Sequence, residues 1–517
     1  MFNINFILAI SNDNIIGINN TIPWSISDDL KRFKSLTTDD DFSNVVIMGL
    51  KTFESIGYKS LSNRFNIVLT SKFGEMKNKK DLIYLSNLEN ALYYCELNNN
   101  FKNIWIIGGK QLFESIDSIK PNMIYMTKIN KSIDINSENM NVTKLSDNFI
   151  NSLETNYSIQ NKSTSLVFDK LSSNEVIIEY IDYVRNVDFL KIQYPSTGII
   201  NTGEQQYFNL LKSIIIDGDF RATRNDYTWS EFGAQLNFDM ADGFPLLTSK
   251  KMSLRIIFEE LMFFIRGYTD NKILKEKNIH IWDSNTDIDF IQNNNITYEN
   301  SESLLNEDDM GPMYGFQWRY FNVNYDRVSS PSNSSYYKSN NKFDQLQKVL
   351  NELKTDPYSR RIIMTTFNPA QVSNGVLYPC HSIVIQFYAK SDKNDPNNLC
   401  LNIKMYQRSA DVFLGLPFNI ASTSLLLHLV CDYLNLSNTK FHYIPSKVII
   451  TLGDTHIYQS HIDPILTQLQ SKMNEFPTLK ILHNNDYPIT SIEDYEWSNI
   501  ELTNYISNKV IKAKMIA

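Results

Sequence analysis

The chain is poor in cysteine, carries no excess of positive charge and has no long apolar run, and each shortage removes a class of protein. Four cysteines occur in 517 residues, Cys95, Cys380, Cys400 and Cys431. None stands close enough to another for a zinc or redox motif, so no metal site is expected, and the thin scatter suits a reducing compartment better than a disulfide framework. The net charge of −8 and pI near 5.5 argue against a nucleic-acid partner, whose binding surface is normally basic. Local basic pockets for small anions stay open. No stretch approaches the roughly 20 apolar residues of a membrane span. Residues 1–10 are apolar but lack a basic flank and a small-residue cleavage site, so they do not read as a signal peptide. A soluble, cytoplasmic protein with no membrane partner is expected.

Hydrophobic residues make up 42% of the chain and charged residues 21%, a globular balance, and the length exceeds one ordinary core. Residues 6–10, 45–48, 66–70 and 104–107 are short runs rich in Ile and Val that read as buried strands. Helical stretches between them predict an α/β N-terminal domain with a mainly parallel sheet. Residues 157–171 are expected to add an antiparallel hairpin turning at 161–165. After residue 172 the texture changes. We expect a domain over residues 1–172, a partly packed linker and lead-in over 173–202, and an α+β domain over 203–517 with helices at 204–217, 254–267 and 420–436. Asparagine-rich stretches such as 98–100 and 293–295 read as loop filler, and no internal repeat is visible.

In the first part, Asp29 and Phe33 are four apart on a predicted helix and share one face, with Ser27 or Asp28 placed to begin it. An acid facing an apolar pocket is costly unless paired or used, although a first-turn or surface acid is the commoner case. Gly108-Gly109, read alone, is a turn. Their company changes the reading. Ala9, Ile16-Gly17, Ile22-Pro23-Trp24, Asp29-Leu30 with Phe33-Lys34, Val46-Ile47-Met48-Gly49 with Lys51-Thr52-Phe53-Glu54-Ser55-Ile56, Leu61 with Arg64, and Ile107-Gly108-Gly109 together resemble dihydrofolate reductase, in order and spacing. The resemblance implies that Asp29 hydrogen-bonds the pteridine ring and promotes its protonation while NADPH supplies hydride. It implies that Phe33 and Ile56 pack the folate, that Arg64 pairs with its glutamate carboxylate, and that Thr127 supports Asp29 from a strand over 124–128. Ala9, Gly17, Lys51, Thr52, Thr70, Ser71, Gly108 and Gly109 become the NADPH positions, with the two glycines letting backbone approach the diphosphate at a helix start. Leu50 and Ser71 depart from the family by replacing basic residues near the cofactor's 2′-phosphate, and Lys51, Thr70 and Lys72 partly compensate.

In the second part, Cys380 in Tyr378-Pro379-Cys380-His381 is the candidate nucleophile, and such chemistry asks for cations that lower its pKa. A lone intracellular cysteine is more often a small buried hydrophobe. Arg224, Arg360, Arg361 and Arg408 would suit a phosphate dianion if they converge; singly, each reads as a surface residue, and His456 alone as a structural histidine. Again the blocks decide. Phe244-Pro245-Leu246-Leu247-Thr248, Glu259-Glu260-Leu261, Gly311-Pro312-Met313-Tyr314-Gly315-Phe316-Gln317-Trp318-Arg319, Pro379-Cys380-His381, Gln407-Arg408-Ser409-Ala410-Asp411, the run Leu414 to Ser422, and Gly453-Asp454-Thr455-His456-Ile457-Tyr458 resemble thymidylate synthase over about residues 204–517.

That resemblance implies that Cys380 adds to C6 of dUMP, so that C5 attacks the methylene carbon of 5,10-methylenetetrahydrofolate. Glu260, assisted by Tyr314, moves protons through water. Arg224 and Arg408 with Ser409 hold the phosphate, and Arg360 and Arg361 reach the phosphate in a partner subunit of a homodimer formed through the synthase domain. Asn419 and Asp411 fix the pyrimidine and folate rings, and His456 with Tyr458 the ribose hydroxyl. His381 and Gln407 fall in the same substrate-binding blocks, and Trp282 and Asn285 lie on the folate side. The last residues, 514–517, resemble a terminus that closes over folate. The loop after Arg224 departs from the family, being one residue shorter and lacking its glycines. The two implied activities are linked, since the synthase would release the dihydrofolate that the reductase recycles, and fusion raises the local concentration of that intermediate.

Overall fold

Strands buried on both faces build the N-terminal sheet, because their near-continuous apolar runs leave no face for water. Val45, Val46, Ile47 and Met48 are fully buried in the strand Asn44–Gly49, as are Ile67 and Val68 in Phe65–Leu69. The structure, a computed structural model, describes residues 2–39, 41–98, 100–133, 141–186, 201–223, 226–326, 343–393, 395, 397–437 and 440–516. It divides into two units, Met1–Ser196 and Thr197–Ala517.

The first unit holds an eight-stranded sheet. From one edge the strands run Leu82–Leu85, Phe65–Leu69, Asn44–Gly49, Asn103–Gly108, Asn3–Ser11, Met123–Ile129, Asn174–Arg185 and Tyr157–Asp169. The first six are mutually parallel and the last two pair antiparallel. The mainly parallel sheet is as expected. Two local expectations are corrected. Residues 174–185, placed in the linker, form a strand of this sheet, anchored by buried Ile178 and Ile181. The hairpin turns at residues 170–173 rather than at 161–165, because the polar side chains of 161–165 stay exposed along an edge strand that continues unbroken to Asp169. Residues 187–200 of the expected linker lie outside the described residues.

The helix Ser27–Thr37 begins on Ser27, with Asp28 in its first turn and no side-chain cap from Ile26 before it. Buried Asp169 ties the loop before this helix to the hairpin: it accepts the Ser25 N–H at 2.8 Å, the Leu171 N–H at 3.0 Å and the Lys131 ammonium at 2.9 Å.

In the second unit the helix Thr202–Asp217 opens on Asn201, whose side chain accepts the Glu204 N–H at 3.0 Å, a sound N-cap. Buried Glu204 then receives the backbone N–H of Ser249 at 2.8 Å and the Thr248 hydroxyl at 2.6 Å, which fixes the segment before the helix Leu254–Ile265. That helix packs on Gly415–Leu436, a 22-residue helix buried over most of its surface. Among the described residues no helix is long and apolar enough to cross a membrane. A six-stranded sheet runs Asp219–Ala222, Tyr227–Asp239, His442–Tyr458, Asn398–Asp411, Val384–Ser391, Ile363–Thr365. All neighbours are antiparallel except the parallel pair Asn398–Asp411 and His442–Tyr458, whose register sets Asp411 beside His456 and Ser409 beside Asp454.

Candidate active sites

In the first unit the sheet register aligns three strands at one level, with Ala9 opposite Thr127 and Thr127 opposite Tyr180. Asp29, half-buried on its helix, turns toward this row. Burial pushes its carboxyl above the ordinary value, opposed by a hydrogen bond from Thr127 and the charge of Arg32. Phe33 and Ile56 pack against one apolar cluster around Val46, Met48, Phe53 and Trp105. Arg64 is buried, with its guanidinium 5.6 Å from the Phe33 ring centroid and Nη1 donating to the Thr37 hydroxyl at 2.6 Å. Asp29, Phe33, Ile56, Arg64 and Thr127 thus gather around one helix and the sheet face it covers.

The dinucleotide candidates sit at the ends of neighbouring parallel strands. Gly108 has φ +137°, and a Cβ there would lie 3.0 Å from the Thr52 hydroxyl; one on Gly109 would lie 3.3 Å from it. Bare backbone therefore meets Thr52, a cradle that a side chain would fill and that fits a diphosphate. Lys51 is exposed on the short helix Leu50–Ser55. Thr70 is buried and accepts the Lys72 N–H at 3.1 Å, while Ser71 is exposed. Gly17 stands in the strand Ile15–Ile18 of a separate two-stranded sheet.

In the second unit Cys380 meets Tyr314 and Arg408. The Tyr314 hydroxyl lies 3.4 Å from Cys380 Sγ and accepts the Cys380 N–H at 3.2 Å. The Cys380 carbonyl accepts the Arg408 N–H at 2.7 Å, and the Arg408 guanidinium donates to the carbonyls of Pro379 at 3.3 Å and Tyr378 at 3.4 Å. The lowering by cations that such chemistry asks for is present but outweighed. Burial pushes Cys380 up, against the opposing pull of the Tyr314 hydroxyl, the Arg408 charge and the backbone N–H groups of Cys380 and His381. His381 stacks on Tyr314 at 4.4 Å, and burial lowers its pKa to about 4. Glu260 accepts the Trp282 indole N–H at 2.9 Å, and burial raises its pKa to about 7 against that bond. The Trp282 ring is 6.0 Å from Tyr314. Asn285 is buried with Nδ2 unpartnered among the described residues.

Gln407 donates to the Ser409 carbonyl at 3.0 Å. Asp411 accepts the N–H groups of Phe413 and Leu414 at 3.0 and 3.1 Å; burial raises its pKa, but these bonds and His461 outweigh it and the net shift is down. Asn419 is buried on the long helix. His456 bonds Asp454 at 2.9 Å and meets the Tyr458 ring edge-on at 5.1 Å. Arg360 and Arg361 do not join this cluster, being exposed between Gln345–Thr355 and Ile363–Thr365; Arg224 lies outside the described residues. So does Ala517, though Lys514 in the same terminal segment is placed.

Four groups in these sites escaped the sequence reading. Arg32 sits beside Asp29. Arg221 donates to Asp454 at 2.8 Å. Lys250 is buried, with its ammonium bonded to the Phe413 carbonyl and burial lowering its pKa to about 7. His461 is fully buried, its Nε2 2.8 Å from the Lys514 carbonyl and its Nδ1 3.7 Å from Asp411. Lys250 follows the Phe244–Thr248 block and His461 follows Tyr458 by three, and that adjacency was the available signal.

Comparison with known proteins covers both units. The dihydrofolate reductase family model matches residues 3–169 and the thymidylate synthase model residues 205–517. A bifunctional dihydrofolate reductase-thymidylate synthase of Paramecium tetraurelia is 32% identical over 515 residues, covering 98% of each chain. Bifunctional dihydrofolate reductase-thymidylate synthase 1 of Arabidopsis thaliana is 33% identical over 541 residues, covering 98% of this chain and 95% of the relative. The bifunctional protein of Plasmodium chabaudi is 30% identical over 521 residues, covering 92% of this chain and 84% of the relative.

Proposed function

The chain belongs to the bifunctional dihydrofolate reductase-thymidylate synthase family, and from that premise we propose how its side chains divide the work. The enzyme methylates dUMP to dTMP with 5,10-methylenetetrahydrofolate and reduces the resulting dihydrofolate to tetrahydrofolate with NADPH.

In the synthase, Cys380 Sγ bonds to C6 of dUMP, and the electron pair displaced to C5 makes that carbon the nucleophile toward the methylene group. The thiol must first lose its proton. The Tyr314 hydroxyl and the Arg408 charge stabilise the thiolate against burial, which supports their role. Glu260, with a pKa of about 7, is suited both to accept and to give a proton near neutrality. Arg408, Ser409 and Arg224 hold the phosphate. Gln407, His381 and Asn419 orient the pyrimidine, and His456 and Tyr458 the ribose. Asp411, Trp282 and Asn285 hold the folate, and the terminal segment closes over it. Exposed Arg360 and Arg361 reach the phosphate of a partner subunit. Homodimer formation through the synthase sheet is supported by its exposed Phe232, Tyr388 and Ile363.

In the reductase, NADPH supplies hydride when bound, and Gly108, Gly109, Thr52, Lys51, Thr70, Ser71, Ala9 and Gly17 hold it. Asp29 hydrogen-bonds the pteridine and promotes protonation of its imine nitrogen, supported by Thr127. Phe33 and Ile56 pack the ring system, and Arg64 takes the glutamate carboxylate. Free cysteines at all four positions support a cytoplasmic location.

The observation that carries the residue assignment is the meeting of a thiol, a phenol, an imidazole and an indole-bound carboxylate around Cys380. A mixture of enzyme, dUMP, methylenetetrahydrofolate and NADPH tests it. Loss of NADPH absorbance that depends on dUMP is expected. Cys380→Ala abolishes it and Asp29→Asn turns it into a rise as dihydrofolate accumulates; either variant behaving like the parent overturns its assignment.

A further inference from the structure

Arg32 lies one turn along the helix from Asp29 and is held from three sides. Its Nη2 bonds Asp182, its guanidinium is 4.7 Å from the Tyr180 ring centroid and 5.8 Å from that of Tyr125, and Nη1 donates to the Thr127 hydroxyl at 3.5 Å. The side chains of Arg32 and Asp182 are only 17% and 21% exposed. The charge therefore stays in place, since leaving would give up an ion pair and two aromatic faces. Thr127 is the shared partner. Its hydroxyl has one proton, and by accepting from Arg32 it is left to donate that proton to Asp29.

We propose that Arg32 is a positioning residue of dihydrofolate reduction, which aims the Thr127 hydroxyl at Asp29 and sets the pH range over which the reaction runs. The inference rests on the reading of Asp29 given above. The groups facing Asp29 are Arg32 and Asp28 on its own helix, Thr127 on Met123–Ile129, and Tyr180 on Asn174–Arg185. Asp28 is exposed and paired with Lys31 at 3.0 Å, so its opposing charge is largely offset in water. Asp182 partly neutralises Arg32, which gives the arrangement a second adjustable charge. Burial favours the protonated form of Asp29; Arg32 acts against it. Without Arg32, Asp29 keeps its proton to higher pH.

The test is the pH profile of single-turnover NADPH oxidation by the full chain with dihydrofolate. Arg32→Gln keeps a donor for Thr127 but removes the charge, and should move the apparent pKa up by about one unit. Above the midpoint, the rate at fixed pH relative to the plateau then rises about tenfold. Arg32→Lys should restore a near-parental midpoint, and Asp182→Asn should lower it by leaving the Arg32 charge uncompensated. An unmoved midpoint in Arg32→Gln, or an equal upward shift in Arg32→Lys, overturns the inference. If Arg32→Gln does not fold, the direction of the Asp182→Asn shift decides alone, and an upward shift sinks the proposal. Asp29→Asn separates the two readings. If it leaves rate and profile intact, the assignment of Asp29 falls and this inference with it. If it abolishes reduction while Arg32→Gln leaves the midpoint unmoved, only the inference falls.

Discussion

Replacing Tyr314 by Phe removes one hydroxyl from the Cys380 site and tests what restrains the thiol there. The hydroxyl is 3.4 Å from Sγ and also accepts the Cys380 N–H at 3.2 Å. The stack on His381, at 4.4 Å, survives because Phe keeps the ring. A hydrogen bond to a charged group is worth about 1.5–3 kcal/mol, and the long contact argues for the lower end. At about 1.4 kcal/mol per pKa unit, losing it raises the thiol pKa by about one unit. The sign is fixed: burial already holds Cys380 up and Tyr314 pulls it down, so its removal displaces the ionisation to higher pH. Below the midpoint the thiolate fraction falls about tenfold. The remaining thiolate is more nucleophilic by a Brønsted factor of about 0.4–0.5, so alkylation at fixed pH slows about three- to fourfold. The assay is the pH profile of iodoacetamide inactivation, with dTMP synthesis lost in parallel. A midpoint that stays put or moves down refutes Tyr314 as a thiolate donor.

Three further outcomes follow from the geometry. Asp169→Asn removes the carboxylate that Ser25, Leu171, Ser172 and Lys131 hold and should destabilise the reductase unit by about 3 kcal/mol, read in thermal unfolding. Burial raises that carboxyl's pKa, but its bonds outweigh burial and depress it below the unfolded value; its stabilisation is therefore present above about pH 4 and lost as pH falls, and the variant should lack this acid sensitivity. Gly108→Ala forces a side chain onto φ +137° and to within 3.0 Å of Thr52. Strain of about 1–3 kcal/mol should raise the NADPH KM by about tenfold, with dTMP formation from added methylenetetrahydrofolate as the unaffected control; an unchanged KM removes the glycine pair from the cofactor site. His461→Leu loses the partner of the Lys514 carbonyl at 2.8 Å, and carboxypeptidase should trim the terminus about two- to tenfold faster, the ratio one hydrogen bond allows. Equal trimming shows that His461 does not anchor the segment.

What could be read from the chain alone was whatever local pattern fixes. Val45 to Met48 announce a strand buried on both faces because no polar residue interrupts them, and ordered blocks such as Pro379-Cys380-His381 carry their chemistry in their spelling. The turn was misplaced because Asn161 to Ser165 have the composition of a turn, and only pairing with Asn174–Arg185 shows them to be an edge strand. Arg32 and Lys250 carried no local signal of their burial, because it involves residues far along the chain, Asp182 and Phe413. The Cys380 thiol shows the same limit. Cations count in sequence, but burial is a property of the packed site, and it outweighs Arg408.

The two carboxyl groups assigned to proton chemistry show how one physical lever serves both halves. Each stands on a helix, and burial lifts each above its ordinary range. What differs is the answering group. Glu260 is met by the neutral indole of Trp282, which stabilises the anion without adding charge, so its pKa stays near 7 and both protonation states are populated at neutral pH. That suits a step sequence in which protons are taken and returned. Asp29 is met by a cation as well as a hydroxyl, which oppose the burial that raises it without cancelling it. Reduction needs a proton delivered in one direction only, and the acid need hold it only while dihydrofolate is bound and water is displaced from the pocket. Substrate binding strengthens the burial side of that balance. On the proposed reading, the clamp on Arg32 fixes the opposing side, and displacement of water by bound folate is what would raise Asp29 further toward protonation.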